Sequence, residues 1–116
     1  MADQSCIFCR IAAGEIPAKI VRQDEDTIAF RDLNPQAPTH VLVIPRRHVP
    51  TVNVLEPADA ALMGKLFLAA KEIARDEGVA GSGYRMVVNA GPNAGQSVDH
   101  IHMHVLGGRG LAWPPG

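Results

Sequence analysis

Two hydrophobic periods run along the chain. From Pro57 to Glu77 apolar residues recur every three or four positions. Leu62, Leu66, Phe67, Ala70, Ile73 and Ala74 share one face, and Lys65, Lys71, Glu72 and Arg75 fall elsewhere. This period predicts an amphipathic helix, stopped by Gly78. Residues 5–13, SCIFCRIAA, predict a shorter helix with Ser5 as N-cap and Gly14 as its stop. The remaining apolar runs are short and rich in β-branched residues, which predicts strands. Lys19–Gln23 and Thr27–Arg31 form a hairpin about the acidic turn Asp24-Glu25-Asp26. His40–Pro45 reads as a buried strand closed by its proline. Tyr84–Ala90 and His100–Gly108 supply two more, joined by the glycine-rich loop GPNAGQS. Two helices and five strands with mostly short connections predict an α+β fold, one antiparallel sheet with the helices against it.

Length and composition narrow the picture. A chain of 116 residues fits a single domain, 1–116, with one core. Hydrophobic residues make up 47% and charged residues 20%, so the chain is expected to fold. A net charge of −1, with Arg46-Arg47 as the only tight basic cluster, argues against coating nucleic acid. No basic segment followed by an apolar core opens the chain, and no apolar run reaches the ~18 residues that span a membrane. A soluble, cytoplasmic protein without a membrane partner is expected. Cys6 and Cys9 alone do not make a disulfide framework.

The candidate chemistry lies in DHIHMHVLGG, Asp99–Gly108, where His100, His102 and His104 alternate with apolar residues. On a strand the three imidazoles face one way, and Ile101, Met103 and Val105 face the core. Neighbouring imidazoles then stand roughly 7 Å apart and the outer two about 13 Å, too far to share one ion without a bend. An exposed polar face is the plain alternative. A division of labour fits better, because a neutral imidazole can attack through one nitrogen while a hydrogen bond holds the other. Asn89–Ser97, NAGPNAGQS, places two glycines among donor side chains, a composition suited to phosphate or simply to a turn.

With these residues in view, the sequence resembles the histidine triad superfamily, whose signature HIHMHVL matches. FCRIAAGEIPAKI, DLNPQAPTHVLVIPRRH and GYRMVVNAGPNAGQSVDHIHMHVLGGRGLAWPPG extend the likeness to the Hint branch, the purine nucleoside phosphoramidases. VLGGR and the terminal WPPG separate that branch from the dinucleoside polyphosphate hydrolases. The resemblance implies cleavage of the P–N bond of AMP- or GMP-amines. It makes His102 the nucleophile, held through its other nitrogen by the His100 carbonyl. It puts His104 on a non-bridging phosphate oxygen, His40 in the supporting polar network and Ser97 on the leaving group. Asn89 and the backbone of Gly95, Gln96 and Ser97 would hold phosphate, and Asp32 the ribose hydroxyls. Ile7, Phe8, Ile11, Phe30 and Leu33 would line the purine slot. It also implies a homodimer with its sheet continued across the interface and the tail near the partner's site, where Trp113 selects the leaving group or anchors the tail. A polyphosphate hydrolase and a non-catalytic zinc- or nucleotide-binding adaptor are the competing readings.

CIFC raises a separate question. A thioredoxin-like dithiol would need a βαβ context that is missing, and two buried unpaired cysteines are the plain reading. The sharper one is half of a tetrahedral zinc site, with His48 and His100 as candidates for the other half. Some histidine triad proteins resemble this arrangement. Such a site would be structural and would leave His102 and His104 free.

Overall fold

Central strand β3 (Thr39–Pro45) organises the molecule, because it is buried along its whole length. The computed structural model describes residues 3–116. In it β1 (Ile20–Gln23), β2 (Thr27–Arg31), β3, β4 (Tyr84–Val88) and β5 (Met103–Gly107) form one antiparallel sheet in the order β1-β2-β3-β5-β4. Helix α1 (Ile7–Ala12) covers one face and α2 (Ala60–Asp76) the other.

The strand period explains how β3 serves both faces. Val41 and Val43 pack towards α2 with Ala29, Leu66, Ala70, Ile73, Met103 and Val105. Leu42 and Ile44 point the other way, to Phe8, Cys9, Ile11, Ile28 and Phe30. A strand buried on both faces reads as a continuous apolar run, which is what HVLVIP presents. His40 belongs to the second face. In register, Leu42 opposes His104 and His40 opposes Leu106, so the two histidines sit one step apart diagonally.

Helix α2 is the long helix expected, preceded by a 3-10 turn at Pro57–Asp59. Its buried face differs from the expected one, and Leu62 is only half-buried. Ala69 is buried with Leu66, Ala70, Ile73 and Ala74, whereas Phe67 is 55% exposed. Helix α1 also starts later than expected. Ser5 is not its N-cap, since its amide and hydroxyl bind Asp3 Oδ1 at 2.8 and 2.6 Å. Cys6 is the cap instead, its Sγ accepting the Cys9 amide at 3.4 Å. Gly14, at φ 77°, ends α1 as expected.

The largest difference concerns the triad segment. The strand expected from His100 begins only at Met103, so His100 and His102 precede β5. Ile101, Met103 and Val105 nevertheless share the α2-side core. The tail beyond Gly108 is tied down by Arg85 Nη2, which donates to the Ala112 carbonyl at 2.9 Å. Trp113 is 82% exposed, so it is no buried anchor within the single chain.

No helix among the described residues is long and apolar enough to cross a membrane.

Candidate active site and metal centre

The α1 side of the sheet holds a cavity of about 260 Å³. Its walls are Phe8 and Ile11 from α1, Phe30 from β2 and Leu42 from β3, with Ile7 partly exposed and Leu33 almost wholly so at the rim. Phe8 and Phe30 meet edge to face, their centroids 5.5 Å apart. Asp32, Ser97, His102 and His104 give this apolar slot a polar side. Such a cavity suits a flat apolar group attached to a charged one. Leu42 was not singled out from sequence, although its place two residues after His40 puts it on the same strand face.

Hydrogen bonds fix the proton positions of three imidazoles. His102 Nδ1 lies 2.8 Å from the His100 carbonyl. A carbonyl only accepts, so Nδ1 carries the proton, and in the neutral ring Nε2 keeps its lone pair. His102 is 4% exposed, with Phe8 against its ring edge at a centroid distance of 5.2 Å. His40 is read the opposite way. The backbone amide of Gln36 donates to His40 Nδ1 at 3.0 Å, so the His40 proton sits on Nε2. His40 Nε2 lies 2.9 Å from His104 Nδ1 and 3.4 Å from Asp32 Oδ2. It therefore donates to His104 Nδ1, which leaves the His104 proton on Nε2. The cavity thus receives one imidazole with a free lone pair and another with a free N–H.

Burial disfavours the charged form of both supporting histidines. It lowers the His40 pKa, with Asp32 opposing. Burial, reinforced by His102 and His40, lowers that of His104 to about 4. The unfolded chain regains the ordinary value near 6.5 and takes up protons that the folded chain refuses. Folding stability therefore falls as pH drops from about 6.5 towards 4. Urea unfolding checks this: the midpoint is lower at pH 5 than at pH 7, and an unchanged midpoint contradicts it.

The loop before β5 is closed by its own hydrogen bonds. Asn89, Gly95 and Gln96 are not among the cavity's lining residues. The Gly95 amide binds the Pro92 carbonyl and the Gln96 amide the Gly91 carbonyl, each at 3.1 Å. The Gln96 side chain accepts from the Gly91 amide and donates to the Pro50 and Val98 carbonyls. These groups are spent on closing the loop, and Gly95 reaches its turn at φ 80°. Ser97, the loop's last residue, does line the cavity.

Beside this site Cys6, Cys9, His48 and His100 bring four donor atoms within 4.8 Å of one another. Cys6 Sγ and Cys9 Sγ lie 3.4 and 3.5 Å from His100 Nδ1. His48 Nδ1 lies 3.3 Å from both Cys9 Sγ and His100 Nδ1. Ligands of one tetrahedral zinc stand about 3.4 Å apart for two nitrogens and about 3.6 Å for nitrogen and sulfur, so the set fits. His100 Nε2 donates to the Pro45 carbonyl at 2.7 Å, which leaves Nδ1 unprotonated towards the cluster. A second group, Asp32, His40 and His104, is also close enough for an ion. Its proton arrangement argues against one, because the Gln36 amide blocks transfer of the His40 proton from Nε2 to Nδ1.

Comparison with known proteins identifies the family. The HIT domain model matches residues 13–111. The chain belongs to the HIT family. An uncharacterized HIT-like protein of Synechocystis sp. is 50% identical over 116 residues, covering both chains completely. Among solved structures, a HIT family hydrolase from Legionella pneumophila has 50% identity and a TM-score of 0.94, covering 96% of this chain and 99% of its own. A histidine triad nucleotide-binding protein from Candida albicans has 30% identity and a TM-score of 0.80, covering 94% and 82% respectively. The five-stranded antiparallel HIT sheet expected from sequence is thus the observed architecture.

Proposed function

We propose that this HIT protein binds a purine nucleotide and hydrolyses the P–N bond of nucleoside 5′-phosphoramidates, AMP- or GMP-amines. The observation that supports this best is the opposed proton placement of His102 and His104 on one cavity wall. The solved relatives add a HIT family hydrolase and a nucleotide-binding histidine triad protein. VLGGR and WPPG favour nitrogen over polyphosphate as the leaving group, through the Hint resemblance.

In this reading the base lies in the slot of Ile7, Phe8, Ile11, Phe30 and Leu33, and Asp32 accepts from the ribose hydroxyls. His102 Nε2 attacks the α-phosphorus. A bond forms from Nε2 to phosphorus as the bond to the amine breaks, and the amine takes a proton from the Ser97 hydroxyl as it departs. Water then attacks phosphorus and returns a proton to Ser97, the bond to Nε2 breaks, and the nucleotide leaves. Two displacements replace one difficult one. The His104 N–H meets a non-bridging oxygen as charge builds on it, with Asn89 supporting the phosphate from the end of β4.

Cys6, Cys9, His48 and His100 would hold a zinc ion. Bound there with four protein ligands, zinc supplies structural cross-linking rather than an open coordination position. The cross-link joins α1 to the segments that follow β3 and precede β5.

We also propose the homodimer. Strand β4 is an edge of the sheet, and Met86 and Val88 are exposed on it, 39% and 37% respectively. Light scattering after size exclusion should give twice the chain mass at micromolar concentration; a monomer contradicts this.

A side-by-side assay tests the activity. Adenosine 5′-phosphoramidate should turn over at least about tenfold faster than diadenosine polyphosphate, the gap a 1.4 kcal/mol preference gives. The reverse order would establish the competing hydrolase.

A further inference from the structure

The GGR stretch at the end of β5 marks the Hint branch, but the reaction described above gives it no task. Its side chain reaches the catalytic face indirectly. Arg109 Nε donates to the Gln36 carbonyl at 3.0 Å, and Arg109 Nη1 donates to the Gly110 carbonyl at 2.8 Å. The guanidinium is thus held at both ends, although it is exposed. Gly108 brings the same strand end against the loop. A Cβ there would stand 2.9 Å from Pro38 Cβ, and the residue adopts φ 91°. The β5 exit therefore braces the loop between β2 and β3 at both Gln36 and Pro38.

That loop sets the protons of the site. The Gln36 amide, donated to His40 Nδ1 at 3.0 Å, is what forces the His40 proton onto Nε2. His40 Nε2–H then makes His104 Nδ1 an acceptor at 2.9 Å, and the His104 proton faces the cavity. If the amide turned away, His40 could carry its proton on Nδ1 instead. His104 Nδ1–H would then donate to His40 Nε2. A lone pair on His104 Nε2 would meet the phosphate oxygen, converting an attraction into a repulsion.

We propose that Arg109 is a positioning residue for the phosphate site. By holding the Gln36 carbonyl it keeps the adjoining amide on His40, and so keeps a donor on His104 Nε2. The inference deepens the phosphoramidase reading and rests on it for its catalytic consequence. The tautomers themselves do not depend on that reading.

The test uses the full-length protein as purified, with histidine ring nitrogens labelled by nitrogen-15. Long-range proton–nitrogen spectra report which ring nitrogen carries each proton. Arg109→Met keeps the chain length and removes the donor. Arg109→Gln places an amide nitrogen at the same bond count as Nε, keeping the donor without the charge. Wild type and Arg109→Gln should show His40 and His104 as Nε2–H tautomers. Arg109→Met should show a mixture at both rings, and kcat/KM on adenosine 5′-phosphoramidate should fall about tenfold, the low end for an outer supporting partner.

Unchanged tautomers in Arg109→Met overturn the proposal. Equal loss in Arg109→Gln and Arg109→Met overturns it too, because the charge would then matter rather than the hydrogen bond. If the tautomers respond as expected but the wild-type protein cleaves no phosphoramidate, the functional reading fails and the positioning role stands.

Discussion

Replacing His102 with alanine should lower phosphoramidate turnover by at least about 10⁴-fold, the scale on which losing a nucleophile is felt. Nucleotide affinity should change only a few-fold. The reason lies in the division of the cavity. Its apolar walls come from α1, β2 and β3, and Asp32 stands at the β2 end, so the base and ribose contacts survive the change. What disappears is the Nε2 lone pair, which the Nδ1 bond to the His100 carbonyl holds open. Affinity is read by titrating AMP into each protein, and turnover by product release. A variant retaining more than about a hundredth of wild-type turnover would remove His102 from the nucleophile's role.

Loss of the metal site should have the second largest effect, and on stability first. Helix α1 has six residues, well short of the ~12–15 at which an isolated helix becomes even marginally stable. Packing against Phe30, Leu42 and Ile44 holds it on one side, and Cys6 and Cys9 tie it to His48 and His100. Protein purified without added zinc should carry about one zinc per chain. Chelation, or Cys9→Ala, should lower the melting temperature by at least about 10 °C, as the loss of roughly 3 kcal/mol or more would in a domain of this size. The chelator should add nothing in Cys9→Ala. AMP binding should weaken alongside, because Phe8 and Ile11 come from the same helix. A zinc content near zero, unchanged after incubation with zinc, would rule the metal centre out.

Residue patterns made much of this legible in advance. The 3.6-residue period of 57–77 and the continuous apolar run of β3 fixed the layers, because each period matches one way of burying a face. Phe67 escaped that logic. It lies at the border of the α2 stripe, where a small rotation decides between core and solvent, and the smaller Ala69 took the inner place. The Cys-x-x-Cys spacing and the separate histidines pointed to a cluster whose closure depends on the turn after Pro45, which no local pattern specifies. The glycine-rich loop was the hardest part. Its composition reads equally as an anion cradle or a turn, and only the bonds at Gly95 and Gln96 show where those amides are spent. Protons were also out of reach of sequence. The tautomer of His40 is set by one backbone amide four residues upstream, at Gln36.

The most direct test is to mix the protein with adenosine 5′-phosphoramidate, quench within the first turnovers under denaturing alkaline conditions, and measure the intact and peptide masses. An adenylyl adduct confined to His102, and absent from His102→Ala, is the predicted result. An adduct on another residue, or full turnover with no adduct at the earliest times, would contradict the account.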